Sequence, residues 1–371
     1  MIIPKLKIGV HEVEIPIIQG GMGVGISMHS LAAAVASLGA IGVIAGACVG
    51  FLEPDFPKQP QVANKMALKK EIALARKSAP GGVIGVNIMV AMTDYEDLVN
   101  AALKAGADII FSGAGLPLTQ PKMKQKYPQS KTALVPIISS ARAATLLCKK
   151  WLRSYDYLPD AFVLEGPKAG GHLGFSLKDL VNQRFRLEQL LVEVIKAVAP
   201  YEKIAGRPIP VIVAGGVYTG QDIARFLNLG ASGVQMATRF VVTEECDASE
   251  EFKKEHIRAK EEDIVFIKSP VGLPGRAIKN KFLEEVERGR KVPFKCLYHC
   301  IKTCVPRKAP YCISSALINA QKGNLEEGFA FAGSNAYRSK KIVTVKKLIE
   351  ELLKGVKKAY REEKWKFGVA T

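Results

Sequence analysis

Short apolar runs rich in β-branched side chains recur along the chain. They are IPIIQG (15–20), IGVIAG (41–46), VIGVNI (83–88), DIIFSGA (108–114), ALVPIIS (133–139), DAFVLEG (160–166), PVIVAGG (210–216) and GVQMATRF (233–240). Runs of this length with almost no polar alternation suit strands buried on both faces, as in a parallel sheet. Between them lie stretches with helical spacing, among them LAAAVASLG (31–39), DLVNAALKAG (97–106), ARAATLLCKKWL (141–152) and GQDIARFLNLG (220–230). Three of these end near glycine, a common helix stop. Eight strands, each followed by room for a helix, predict an α/β fold of the (β/α)8 TIM-barrel type over residues 1–250. A smaller helical substrate or lid region is expected over 251–371. A doubly wound sheet is the competing architecture, but eight units in one direction favour closure.

The unusual residues stand at the C-terminal ends of these runs. They are Gln19-Gly20-Gly21-Met22, Asn87, Gly113, Ser139, Glu165, Gly215-Gly216, and Gln235 through Thr238. Barrel enzymes build their active sites at that face, where the βα loops converge. One glycine there is an ordinary turn; repeated glycine-rich or polar ends point to a shared site. In VIVAGGVYTGQDI, Gly215 and Gly216 end a strand and Thr219 is placed to cap the next helix. In GVQMATRF, Gln235, Met236, Ala237 and Thr238 leave the last strand. Glycine lets backbone N–H groups approach an anion unobstructed, and late-strand phosphate sites recur in barrels. A dinucleotide loop does not fit. GGMGVGISMHS fails the G-x-G-x-x-G spacing, no acidic residue ends the second strand, and no Walker loop occurs. One terminal phosphate, as in FMN, suits the pattern better.

The segment LEGPKAGGHLGF (164–175) carries His172, one of five histidines, among Gly170, Gly171 and Gly174. A lone histidine is usually structural. Glycines on both sides strip bulk from around this imidazole, whose ordinary pKa lets it exchange a proton or hold an anion near neutrality.

Net charge is +18 and hydrophobic content 48%. Lysines such as Lys69, Lys70, Lys149, Lys150, Lys253 and Lys254 fall in expected helices rather than one tract. With no aromatic-interleaved basic segment, nucleic-acid binding is set aside, and the surplus reads as solvated faces that attract anionic ligands. No run approaches a membrane span, and the first residues lack a signal-peptide core, so a cytoplasmic protein is expected.

These motifs resemble the nitronate monooxygenase (2-nitropropane dioxygenase-like) family, which also contains flavin-dependent enoyl-acyl-carrier-protein reductases. The matching segments are IQGGM (18–22), GVNIM (85–89), EGPKAGGHLG (165–174), AGGV (214–217), GASGVQMATRFVVTEE (230–245) and RAIKN (276–280), with a looser FAGSNAYR (331–338). The resemblance implies an FMN barrel with a small domain closing over the flavin. It implies that Gly21 and Met22 approach the ring system, that Asn87 hydrogen-bonds the cofactor, and that Gly170 lies on the flavin side of its loop. Gly215, Gly216, Gln235, Met236, Ala237 and Thr238 would wrap the phosphate, with His172 as the catalytic histidine. Glu165 stands where the monooxygenases often carry glutamine, and Ala237 where glycine is usual. The leading expectation is oxidation of alkyl nitronates by FMN and O2, with His172 as base or anion-orienting group. The alternative is an NAD(P)H-dependent enoyl-thioester reductase; a flavin-binding protein without turnover is a third reading. A small-molecule substrate and a homodimer go with the first two. The lysine-rich VKKLIEELLKGVKKAYREEKWK reads as an amphipathic helix, with an acidic carrier protein as the other reading.

Cys296, Cys300, Cys304 and Cys312 fall within CLYHCIKTCVPRKAPYC. The first three share one face if that segment is helical. Inert packed thiols, an iron–sulfur cluster and zinc are the three readings, and the spacing is standard for neither metal centre. Cys48, Cys148 and Cys246 read as structural.

Overall fold

The computed structural model describes residues 3–181 and 185–362. Each of the eight apolar runs forms a strand: Ile17–Gln19, Ile41–Ala45, Val83–Met89, Ile109–Gly113, Ala133–Ile138, Phe162–Glu165, Val211–Ala214 and Gly233–Met236. They close into one barrel in chain order, all parallel. Closure comes where Val234 pairs with Ile17 and Met236 with Gln19. The chain is a (β/α)8 TIM barrel.

Strand period decides which side chains face the axis. Ile18, Val43, Phe111, Val135, Val163, Ile212 and Ala214 pack together inside the barrel. Their neighbours Ile17, Ile44, Ile110, Leu134, Leu164 and Val213 pack outward against the helices. The hairpin Leu6–Ile8 and His11–Val13 plugs the N-terminal end, with Leu6, Ile8 and Val13 joining the inner cluster. The catalytic face of a barrel is the opposite one.

After the last strand the chain leaves the barrel and returns. Its excursion carries helices Glu250–Arg258, Lys281–Glu287 and Ile313–Gln321. Besides these helices it contains strands. Strands Ile264–Lys268 and Pro274–Ile278 form an antiparallel hairpin, and Gly171–His172 adds a third strand through Gly275↔His172. The run IVFIK, β-branched and part-buried, has a paired edge to bond to there. The long helix Val345–Glu362 then packs on helix Gly220–Asn228 and touches helix His29–Ala36, filling the place of an eighth barrel helix. Gly220 and Gly355 allow this approach; a Cβ on Gly220 would stand 2.2 Å from the Leu352 carbonyl oxygen. The amphipathic reading of this helix holds, with Leu348, Ile349, Leu352 and Val356 buried. Residues 363–366 at the end of that lysine-rich motif lie outside the described residues. Among the described residues no helix is long and apolar enough to cross a membrane.

The cysteine segment is not helical, so Cys296, Cys300 and Cys304 do not share a helix face. Its backbone bonds elsewhere: Thr93 N–H donates to Cys300 O (3.2 Å), Lys302 N–H to Ala91 O (2.9 Å), and Val292 N–H to Pro310 O (2.7 Å). Proline at 306 and 310 removes donors that a helix would need.

Candidate active site

By strand parity, Asn87, Glu165 and Gln235 continue the inward-facing rows that include Gly85, Val163 and Gly233, at the C-terminal end of the barrel. Gly20 and Gly21 lie among them. A Cβ on Gly20 would stand 3.1 Å from Gln235 Cγ, and one on Gly21 would stand 2.4 Å from Asn87 Cβ. Only glycine fits at 21 without displacing Asn87. Gln19 faces the other way, fully buried, its Oε1 accepting from Val43 N–H (2.9 Å). The Met22 N–H donates to Ser27 Oγ at 2.8 Å, and its side chain is half-buried. Met236 belongs to the outer core, so only its backbone reaches the rim; its carbonyl accepts from Gly20 N–H (2.9 Å).

The late-strand loops form a cradle. Gly215 and Gly216 both adopt positive φ (+91° and +89°), and a Cβ on either would meet the 166–169 loop at 2.9 Å. The side chain of Thr219 does cap the following helix, in a capping box with Asp222. Ala237 has φ −119°, a conformation that a methyl group accepts, so the replacement of the family's usual glycine costs no backbone strain. Gly215 and Gly216 follow the seventh strand and Ala237 the eighth, so their backbone N–H groups lie at the same end of two neighbouring strands. Thr238 Oγ1 accepts from Gly333 N–H (3.2 Å), and Asn335 Nδ2 donates to Gly216 O (2.8 Å). Beside them Ser334 Oγ is buried without a hydrogen-bond partner. A buried hydroxyl with nothing to bond and two glycine positions that a Cβ would fill make a site that fits a phosphate group.

The loop after the sixth strand is pinned to the same strap. A Cβ on Gly170 would stand 2.4 Å from the Ala332 carbonyl carbon, and Ser334 N–H donates to Lys168 O (3.2 Å). Two residues on, His172 Nε2 lies 2.8 Å from Ser269 Oγ, and its ring meets Phe331 edge-on at 5.0 Å. Burial drives the imidazole pKa down to about 4, so the ring is neutral at physiological pH. Glu165 shows the mirror effect: burial pushes its carboxyl up to about 7, opposed by the Arg276 guanidinium. Burial likewise lowers Arg276 to about 10, opposed by Glu165. Arg276 is 7% exposed, donates from Nη1 to Ala169 O and lies over the Phe266 ring.

Two segments quoted for their resemblance thus carry site residues to which no role was given: Arg276 in RAIKN, and Ser334 and Asn335 in FAGSNAYR. Ser269 had no signal at all, since it sits in a hairpin turn outside every motif.

The four late cysteines are free thiols. Cys300 Sγ lies 3.0 Å from Ser314 Oγ, which is 3.5 Å from Cys48 Sγ; Cys48 also meets Tyr298 OH at 3.1 Å. Burial pushes the Cys300 thiol up to about 12. Among the described residues no group of three or more His, Cys, Asp or Glu side chains is gathered to hold a metal ion.

Comparison with known proteins agrees with this geometry. The family profile described as nitronate monooxygenase matches residues 4–355. A carboxyl-CoA dehydrogenase of Mycobacterium tuberculosis, (3aS,4S,5R,7aS)-5-hydroxy-7a-methyl-1-oxo-octahydro-1H-indene-4-carboxyl-CoA dehydrogenase, is 28% identical over 279 residues, 75% of this chain and 67% of that one. A probable nitronate monooxygenase of Staphylococcus aureus is 36% identical over 129 residues, 35% of this chain and 34% of its own length. Among solved structures, FabK from Thermotoga maritima is 27% identical with a TM-score of 0.73, covering 95% of this chain and 96% of that one. Barrel, rim and sequence therefore agree, and the chain belongs to the nitronate monooxygenase family of oxidoreductases.

Proposed function

We propose that this protein is an FMN-dependent oxidoreductase that oxidises alkyl nitronates with O2. The observation that carries the reading is the strap at 332–335. It packs on Gly170, two residues from His172, and also bonds to Thr238 and Gly216. Anion donors and imidazole are thereby tied to one rim. The amides of Gly215, Gly216 and Ala237, with the hydroxyls of Thr238 and Ser334, would hold the terminal phosphate. Gly21, Met22, Asn87, Glu165, Gly170 and Gln235 would line the ring-binding part of the rim. When bound, the flavin supplies an acceptor for substrate electrons and a route for them to O2. His172 would hold the nitronate oxygen.

One observation favours a second reading, thioester chemistry. The relative matched over 279 residues is named for a carboxyl-CoA substrate, whereas the nitronate monooxygenase match spans 129. An enoyl thioester that gains hydride at its β-carbon also develops negative charge on the carbonyl oxygen, so the same histidine serves it. That reading brings in NAD(P)H as electron donor for an enoyl-thioester reductase.

Anaerobic stopped-flow absorbance of the FMN-loaded protein separates the two. Rapid bleaching by propyl nitronates, with none by NADH or NADPH, is the expected result. Bleaching by NAD(P)H and reoxidation by an enoyl thioester would replace it with the reductase. Tight FMN with no donor accepted would leave a binding protein, and failure to take up FMN would end every flavin reading.

A further inference from the structure

We propose that Ser269 is a positioning residue whose hydroxyl donates to His172 Nε2, keeping the ring proton on Nδ1 so that the imidazole meets substrate as a hydrogen-bond donor and not as a base. The catalytic consequence rests on the proposed function; the tautomer itself does not.

The argument begins with counting protons. A hydroxyl offers one donor and two acceptor sites. Ser269 Oγ accepts from Val271 N–H at 3.4 Å and lies 2.8 Å from His172 Nε2. Among the described residues these are the two hydrogen bonds of that hydroxyl. Ser269 is 3% exposed, so water does not substitute freely. Were Nε2 to carry the proton, the serine hydrogen would be buried with no acceptor, the costly half of hydrogen-bond energetics. With O–H pointed at Nε2, both groups are satisfied. The neutral ring, favoured by burial, then has its proton on Nδ1, for which the described residues supply no partner. That is the donor left for substrate.

The backbone holds the serine in place. Ser269 N–H donates to Leu273 O (3.1 Å) and Gly272 N–H to Ser269 O (3.1 Å), closing the turn between strands Ile264–Lys268 and Pro274–Ile278. The second of these strands pairs with Gly171–His172, and Leu173 N–H donates to Pro274 O (2.9 Å). Thr303 Oγ1 donates to Val271 O (2.8 Å), anchoring the turn to the cysteine segment. Phe331 meets the ring from the side and limits its rotation. Serine and histidine thus ride on one three-stranded sheet, which fixes their separation. A neutral Nδ1–H donor suits a nitronate oxygen or a polarised thioester oxygen. It offers no lone pair with which to deprotonate a neutral nitroalkane.

Two-bond 1H–15N spectra of the 15N-histidine-labelled, FMN-loaded protein read the tautomer directly, with His172→Gln assigning the signal. The expected result is a protonated Nδ1 and an unprotonated Nε2; a protonated Nε2 overturns the proposal whatever the substrate proves to be. In Ser269→Ala the ring should revert to the Nε2–H form that neutral imidazole prefers in water, and in Ser269→Thr it should not. On nitronates, S269A should lose about tenfold in kcat/KM with FMN affinity retained, and S269T should recover most of it. An alanine variant with the wild-type tautomer and wild-type kcat/KM refutes the role. If the wild-type protein does not turn over nitronates, the nitronate reading falls and the tautomer measurement still decides the role of Ser269.

Discussion

Gly170 and Ala332 meet backbone to backbone, so closely that a Cβ on Gly170 would stand 2.4 Å from the Ala332 carbonyl carbon and 2.5 Å from Gly333 N. This contact joins the histidine loop to the strap that returns over the late-strand cradle. A side chain there must move backbone, not merely another side chain.

Gly170→Ala is therefore expected to destabilise the protein by about 1–3 kcal/mol, the usual scale of an overpacked site. It should also loosen FMN, because the strap carries Ser334 and Asn335. Urea unfolding and a flavin titration check both. Unchanged values in both would mean that the loop and strap separate without cost.

Glu165→Gln tests the part-buried carboxyl. Its folded pKa of about 7 lies above the ordinary 4.5, so between those values the native state binds more protons than the unfolded chain. Stability from this group is then full below pH 4.5 and is lost as pH rises through 7. The glutamine variant lacks this slope. Relative to wild type it should gain on the order of 3 kcal/mol between pH 4 and pH 8. Urea midpoints across that range measure it; parallel curves would show a carboxyl of ordinary affinity.

Removing a cradle hydroxyl should be felt by the phosphate alone. Ser334→Ala deletes an Oγ that has no protein partner, so the protein without flavin should keep its stability. FMN should bind about tenfold more weakly, the scale of one hydrogen bond to a charged group. Fluorescence quenching of FMN on titration reads this. Equal affinity would place the phosphate elsewhere.

His172→Ala should retain FMN and lose at least about a hundredfold in turnover. Oxygen consumption on propyl nitronates, beside a bound-flavin spectrum, measures both. Turnover at the wild-type rate would remove the imidazole from the chemistry.

Much of the frame was legible from residue order. Buried parallel strands need consecutive apolar side chains, so each of the eight runs announced itself, and a period of two put Asn87, Glu165 and Gln235 on the inner face once the strand ends were known. Glycine pairs such as Gly215-Gly216 were legible because positive φ excludes most other residues. The stretch after 250 was not legible in this way. IVFIK becomes a strand because Gly171–His172 and Pro274–Ile278 offer it a sheet, and the cysteine segment stays irregular because the 91–93 loop takes its hydrogen bonds.

What the amino-acid sequence determined on its own was local: strand and helix period, the points where backbone must turn, and the residue types available at each strand end. The tertiary structure alone decided which distant groups come together: Ser269 bonded to His172, Arg276 within the electrostatic reach of Glu165, and Gly333 and Asn335 bonded to Thr238 and Gly216. The physical reason is range. Patterning acts over a few residues through backbone sterics and burial of one face. A proton's position on an imidazole, or the ionisation of a carboxyl, depends on partners about a hundred residues away that only packing brings within hydrogen-bond or electrostatic reach.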